Sequence, residues 1–269
     1  MGQRRATYRQ REVILDTSLK FTVNVTTYFI IPTTGGGYLY DVDWGDGNQS
    51  LAQTGDVSHS YGSSGEYQIT ITGAFPRFYF NNTWSRLQLK SIDQWGDVGY
   101  SGNQTNAFYG CGNLETIADD VSWFDSIVYG TRMFSGCTSL TALPSSSHFA
   151  SLVNGEEMFR DTYSMVLNEG LNFPLLQNGN SLFRTRVAVP VNIPDSLVFG
   201  SLTTANQAFY NTLMSAADYS KLLINIDANN SNTGVTFGAE GCNYNSTAVT
   251  ARNNLTSTKS WTINDAGLV

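Results

Sequence analysis

The 269-residue sequence predicts a mainly β protein with some α: a small N-terminal β-sandwich, a repeat solenoid, then an α/β unit closing its end. Three observations carry this expectation. Phe108, Phe134, Phe159, Phe183 and Phe209 recur at spacings of 26, 25, 24 and 26 residues, each preceded by Ala, Met or Leu. An apolar signature at a period of about 20 to 50 residues marks units that bury their apolar faces only by stacking. Ahead of residue 75, short alternating stretches separated by glycine-rich turns mark antiparallel strands. Beyond residue 215 the apolar spacing turns helical.

Residues 1–18 form a basic arm. Within the first 20 residues Arg4, Arg5, Arg9, Arg11 and Lys20 face only Glu12 and Asp16, an excess of +3 in a chain whose formal charge is −7. Arg4, Arg5, Arg9 and Arg11 are the expected partner-docking residues, because a basic arm on an acidic body favours an acidic partner. The body has no basic patch to accompany its aromatics, so no nucleic acid is expected there. No signal peptide and no apolar run long enough to span a membrane is read; Phe29 to Ile31 is too short.

Residues 19–75 are the expected sandwich. Phe21-Thr-Val-Asn-Val-Thr alternates with period two, and Tyr28 to Ile31 ends at Pro32 and a Gly35-Gly36-Gly37 loop. Tyr38 to Trp44 runs into Gly45-Asp46-Gly47, a tight-turn signal, and Glu66 to Gly73 alternates again. Asp41, Asp43 and Asp46 begin like a calcium loop, but an EF-hand needs Gly at its sixth position and Glu at its twelfth. This chain has Asp46 and Ala52 there, so turn chemistry explains the acids.

Residues 76–215 are the expected solenoid. Leu87, Leu89 and Ile92 begin it, lying against the sandwich. The signature then reads Ala107-Phe108-Tyr109-Gly110-Cys111-Gly112-Asn113-Leu114 and Met133-Phe134-Ser135-Gly136-Cys137-Thr138-Ser139-Leu140. A second apolar cluster falls between signatures, as in Trp123-Phe124-Ile127 and Phe149-Leu152. At the third and fourth signatures, Arg160 to Tyr163 and Arg184 to Arg186 replace the Gly-Cys text, which reads as decay of the repeat. Cys111 and Cys137 hold equivalent positions and are expected as small, reduced, buried residues on neighbouring coils. Residues 216–269 close the end, with a helix from Ala217 capped by Ser215, a strand at Val235 to Phe237, a second helix from Ser246 to Leu255 and a strand at Trp261 to Ile263.

Two stretches resemble known families. Val42-Asp43-Trp44-Gly45-Asp46-Gly47, His59-Ser60-Tyr61 and Gly65-Glu66-Tyr67-Gln68-Ile69-Thr70-Ile71 are similar to PKD domains, which are immunoglobulin-like. That resemblance implies a spacer or adhesion module in which Trp44, His59 and Tyr61 are structural. Residues 85–215, through Met133 to Pro144 and the Ile92 to Gly96 lead-in, resemble the BspA-like leucine-rich repeats of bacterial surface and phage structural proteins.

The charged fraction is low at 14% and the chain is rich in Asn, Thr, Ser and Gly, a surface suited to glycans or other protein faces. No nucleophile elbow, phosphate loop or zinc-ligand spacing is present, and the Asp119-Asp120 and Glu156-Glu157 pairs point apart. The expectation is therefore a non-enzyme with no cofactor, metal or catalytic residue. Both resemblances imply non-catalytic surface modules, and with no signal peptide read the expected setting is the exterior of a bacteriophage virion, as capsid decoration, head fibre or tail fibre. The N-terminal part would bind other virion proteins in multiple copies or as a homo-oligomer. The repeats would meet host glycans or proteins through aromatics such as Tyr100 and Tyr109. A bacterial cell-surface adhesin or glycan-binding protein is the alternative.

Overall fold

The computed structural model describes residues 16–83, 85–120, 123–145, 148–187 and 189–269. Eight strands come first: β1 (Leu19–Val25), β2 (Tyr28–Ile31), β3 (Leu39–Asp43), β4 (Gln49–Gln53), β5 (Val57–Ser60), β6 (Gly65–Ala74), β7 (Leu89–Gln94) and β8 (Thr116–Ile117). They make a six-stranded sheet in the order β4-β3-β6-β1-β7-β8 and a separate β2–β5 ribbon, and no sheet closes into a barrel. The period-two pattern of β1 turns Leu19, Phe21, Val23 and Val25 inward, all fully buried. Phe21 meets Phe29 of the ribbon at 6.1 Å between ring centres and Phe78 edge-on at 5.2 Å.

Strand β7 does more than lie against the first sheet, as the sequence suggested. It pairs antiparallel with β1 and parallel with β8, so it is shared by the antiparallel strands and the ladder that follows. One contiguous apolar cluster accordingly runs from Leu19 to Trp261.

The ladder has a constant rule. Phe80 N–H donates to the Ala107 carbonyl, Phe108 to Met133, Phe134 to Met158, Phe159 to Leu182, Phe183 to Ala208 and Phe209 to Gly238, all at 2.8–3.0 Å. Phenylalanine rings follow the backbone. Centroid separations from Phe108 through Phe134, Phe159 and Phe183 to Phe209 are 5.5, 5.8, 5.3 and 5.2 Å. A second column, Phe124, Phe149, Phe173 and Phe199, stacks at 5.4, 5.7 and 5.6 Å. Two residues before each signature phenylalanine the backbone is left-handed, at Asn106, Arg132, Glu157, Ser181 and Gln207 with φ between 54° and 61°. Side chains other than glycine rarely adopt this conformation, and its recurrence shows one turn rebuilt in every layer. The third and fourth signatures therefore keep the same rung despite their altered text.

The thiols of Cys111 and Cys137 are free and buried, and Cys137 Sγ donates to the Phe108 carbonyl at 3.2 Å. Desolvation raises both thiols above their ordinary range.

A short parallel pair, β9 (Val189–Val191) and β10 (Thr212–Met214), leads to helix α1 (Ala216–Asn229). The Ser215 hydroxyl accepts from the Asp218 N–H at its start, as the sequence suggested. Then come β11 (Thr236–Gly238), β12 (Asn243–Tyr244), α2 (Val249–Asn253), β13 (Thr262–Asn264) and β14 (Gly267–Leu268). The second expected helix is cut to five residues between a tight turn and a wide one. Threonine and asparagine favour local bonds over helix, and Thr256 Oγ1 donates back to the Arg252 carbonyl.

These last strands pair parallel, β11 with β13 and β12 with β14, and continue the ladder beyond Phe209. Gly241-Cys242 sits where Gly110-Cys111 does in the first signature, with a left-handed glycine and a buried thiol. Ala239 takes the phenylalanine position, and Trp261 is buried with its Nε1 donating to the Asn232 carbonyl at 2.8 Å. Among the described residues no helix is long and apolar enough to cross a membrane.

Candidate functional site

The first cluster worth testing as a site is the Asp-Gly turn after β3. Trp44 is fully buried, its ring stacks on His59 at 5.0 Å, and its Nε1 donates to Ser50 Oγ at 3.0 Å. Tyr61 donates its hydroxyl proton to the Trp44 carbonyl at 3.1 Å, and His59 Nε2 lies 2.8 Å from Asp46 Oδ2. Burial opposes charge on Asp46, but bonds from His59 and Asn48 outweigh it and hold the carboxyl below its usual range. Asp43 accepts from the Gly45 N–H and Asp41 from the Ala52 N–H, so these acids bind turn backbone. Every polar group here is used in holding the turn.

The other acids singled out in the sequence are likewise engaged separately. Asp120 accepts from the Trp95 and Gly96 N–H groups, and Asp119 accepts from the Ser145 hydroxyl. His148 Nδ1 lies 3.8 Å from Asp125 on the surface. No cluster of three or more His, Cys, Asp or Glu residues that could hold a metal ion occurs among the described residues. The docking arginines Arg4, Arg5, Arg9 and Arg11 lie outside the described residues.

A groove of about 370 Å³ crosses successive rungs of the ladder. Its lining follows the repeat register, one to four residues after each signature phenylalanine. The first rung supplies Tyr109, Gly110 and Gly112; the second, Ser135, Gly136 and Thr138; the third, Arg160, Asp161 and Tyr163; the fourth, Arg186. Asn82 and Arg86 close the near end. Gly110 has φ 81°, and a Cβ there would fall 2.3 Å from Asn82 Oδ1 and 2.9 Å from Arg86 Cδ. Only glycine both makes this turn and leaves room for the Arg86 stem.

The electrostatics are graded along the groove. Asp161 is buried, at 3.0 Å from Arg186 Nε and 3.6 Å from Arg160 Nε, and it accepts from the Arg186 N–H at 2.9 Å. Glu157, just outside, accepts from Arg132 at 2.8 Å and from Arg160 at 3.1 Å. The Arg132 guanidinium is the main cause holding the Glu157 carboxyl below its ordinary value. Its stabilising effect is complete above the unfolded carboxyl pKa of about 4.3 and is lost as pH falls through the lower folded value. Glu157→Gln is therefore expected to cost about 1–2 kcal/mol at pH 7. The gap between the two thermal unfolding curves should narrow as pH falls below the ordinary carboxyl range; a gap independent of pH would assign the loss to packing.

Of the aromatics expected to meet a ligand, Tyr109 lines the groove, with Arg132 over its ring at 6.0 Å. Tyr100 does not. Its ring stacks on Trp123 at 4.2 Å and its hydroxyl donates to the Trp95 carbonyl at 2.6 Å, a packing role. Arg86, Arg160 and Arg186 were missed as a group because no two are close in sequence. Aligning the signatures by their phenylalanines pairs Arg160 with Arg184, which does not line the groove, and sets Arg186 in the register of the buried Cys111 and Cys137, so only the structure brings them together.

This mainly β chain thus presents a polar, arginine-lined groove built across a parallel ladder. Comparisons with protein-family models, curated proteins and solved structures returned no match to it.

Proposed function

We propose that this chain is a non-catalytic structural and adhesion protein on the exterior of a bacteriophage virion, as capsid decoration, head fibre or tail fibre. In this reading residues 19–75 are a PKD-like, immunoglobulin-type sandwich and residues 76–215 a BspA-like leucine-rich-repeat solenoid. Residues 216–269 cap it, and the arm carrying Arg4, Arg5, Arg9 and Arg11 docks on acidic virion proteins.

The observation that carries the reading is the shared strand β7, bonded to β1 on one edge and β8 on the other. A joint made of backbone hydrogen bonds and one continuous core resists bending. A particle holding the N-terminal sheet would therefore hold the groove at a fixed distance and direction. The groove is assembled from several rungs, as suits recognition of an extended ligand.

The test is fractionation of the native source. Co-sedimentation of the chain with intact particles through a density gradient supports the reading, and recovery only in a cell envelope replaces it with the surface-adhesin alternative. Deleting residues 1–12 should abolish incorporation into particles; unchanged incorporation would remove the arm from the docking step.

A further inference from the structure

We infer that the groove binds an extended saccharide bearing carboxylate groups, an inference that rests on the outward-facing role proposed above. Three features point to an anionic ligand. Residues 16–269 carry 11 basic and 21 acidic side chains, yet this groove is lined by three arginines and one carboxylate. Arg86 is half-buried, and among the described residues its guanidinium has no hydrogen-bond or ion-pair partner. Arg160 Nε is buried without a hydrogen-bond acceptor, because its nearest carboxylate, on Asp161, stands at 3.6 Å. A guanidinium nitrogen without an acceptor in the chain favours a ligand that supplies one, and the planar fork of arginine matches a carboxylate.

The middle of the groove identifies the rest of the ligand. Between Arg86 and Arg160 lie Tyr109, Ser135, Thr138 and the three glycines, which offer hydroxyl groups, one ring edge and open backbone but no cation. The Arg86 stem reaches the first rung, where a Cβ on Gly110 would fall 2.9 Å from its Cδ, so two rungs separate the charged ends, about 10 Å at a strand spacing of ~4.8 Å. Single-stranded nucleic acid carries a charge on every nucleotide and would need cations along that stretch. A saccharide with acid groups on separated residues places neutral hydroxyls there instead. Its carboxylates then reach Arg86 at one end and Arg160 with Arg186 at the other. Asp161 does not repel them, since its charge is matched by both arginines.

Isothermal titration of the full chain with a hyaluronan hexasaccharide, whose carboxylates stand on alternate residues, with maltohexaose and with oligodeoxythymidylate tests this. Binding of the hyaluronan hexasaccharide at least about tenfold tighter than of the other two is expected, at low salt where the charge contribution is largest. Arg86→Gln and Arg186→Gln should each weaken it about tenfold. The melting temperature of Arg86→Gln should be unchanged, because no protein group holds that side chain. Equal affinity for maltohexaose, tighter binding of the oligonucleotide, no binding of the hyaluronan hexasaccharide, or full affinity in Arg86→Gln would each overturn the assignment. Those outcomes leave particle co-sedimentation untouched, so failure of the ligand and failure of the virion reading are separable.

Discussion

Phe134→Ala is expected to lower the unfolding free energy by about 3–5 kcal/mol, the largest effect of any single truncation in the ladder. Phe134 is fully buried, with its ring parallel to Phe108 at 5.5 Å and to Phe159 at 5.8 Å, interplanar angles being 6° and 8°. It also touches the second column through Phe124 at 6.4 Å. Removing the ring leaves a gap between layers whose spacing is fixed by backbone bonds on both sides, so collapse cannot fill it. Phe134→Leu keeps most of the volume and should cost no more than about 1.5 kcal/mol.

Double-mutant cycles sharpen the expectation. Phe134→Ala with Phe159→Ala should be non-additive, since the rings are in contact, whereas Phe134→Ala with Phe209→Ala, three layers from Phe134, should add. Denaturant unfolding should also remain a single transition, because the core is continuous through β7. Two separated transitions would mean that the junction is weaker than its hydrogen bonds suggest.

Much of this ladder was legible in the sequence because a stacked unit repeats its buried positions. Phe108, Phe134, Phe159, Phe183 and Phe209 announce themselves by spacing, and the alternation in β1 and β6 gives the first sheet. The second column was only half legible. Phe124 and Phe149 stand in apolar clusters, whereas Phe173 and Phe199 repeat the Phe149-Leu152 spacing, to Leu176 and Leu202, amid Asn172, Pro174 and Gly200 that mask it. Strand β4 was not legible at all: Gln49–Gln53 has no buried residue, and pairing with β3 alone makes it a strand.

The groove inverts the sequence reading of the repeats. Loss of the Gly-Cys text at Arg160 to Tyr163 and Arg184 to Arg186 looked like decay, yet the rung survives because its bonds are made by backbone. The solvent-side positions of a rung are free to vary, and here that variation brings charge to the groove. The continuation of the ladder through Gly241-Cys242 was hidden for a related reason. The intervening helix α1 stretches the interval from Phe209 to Ala239, so the period breaks while the register does not.

The second large effect is expected at the joint itself. Gly96 follows β7 with φ 62°, and a Cβ there would stand 2.3 Å from the Thr17 carbonyl oxygen and 2.4 Å from that of Ser18. Both obstacles are backbone at the entry to β1, and Thr17 also accepts from the Asp97 N–H at 2.8 Å. Gly96→Ala should cost about 3 kcal/mol or more, roughly 1–2 from the left-handed backbone and the remainder from displacing the start of β1. Gly99 supplies the control. It has φ 79° with nothing within 4 Å of its added Cβ, so Gly99→Ala should cost only the backbone share of about 1–2 kcal/mol. Guanidinium unfolding of the two variants side by side isolates the contact. Equal losses would mean that β1 shifts freely against β7, and a joint that yields so easily could not hold the groove in a fixed direction.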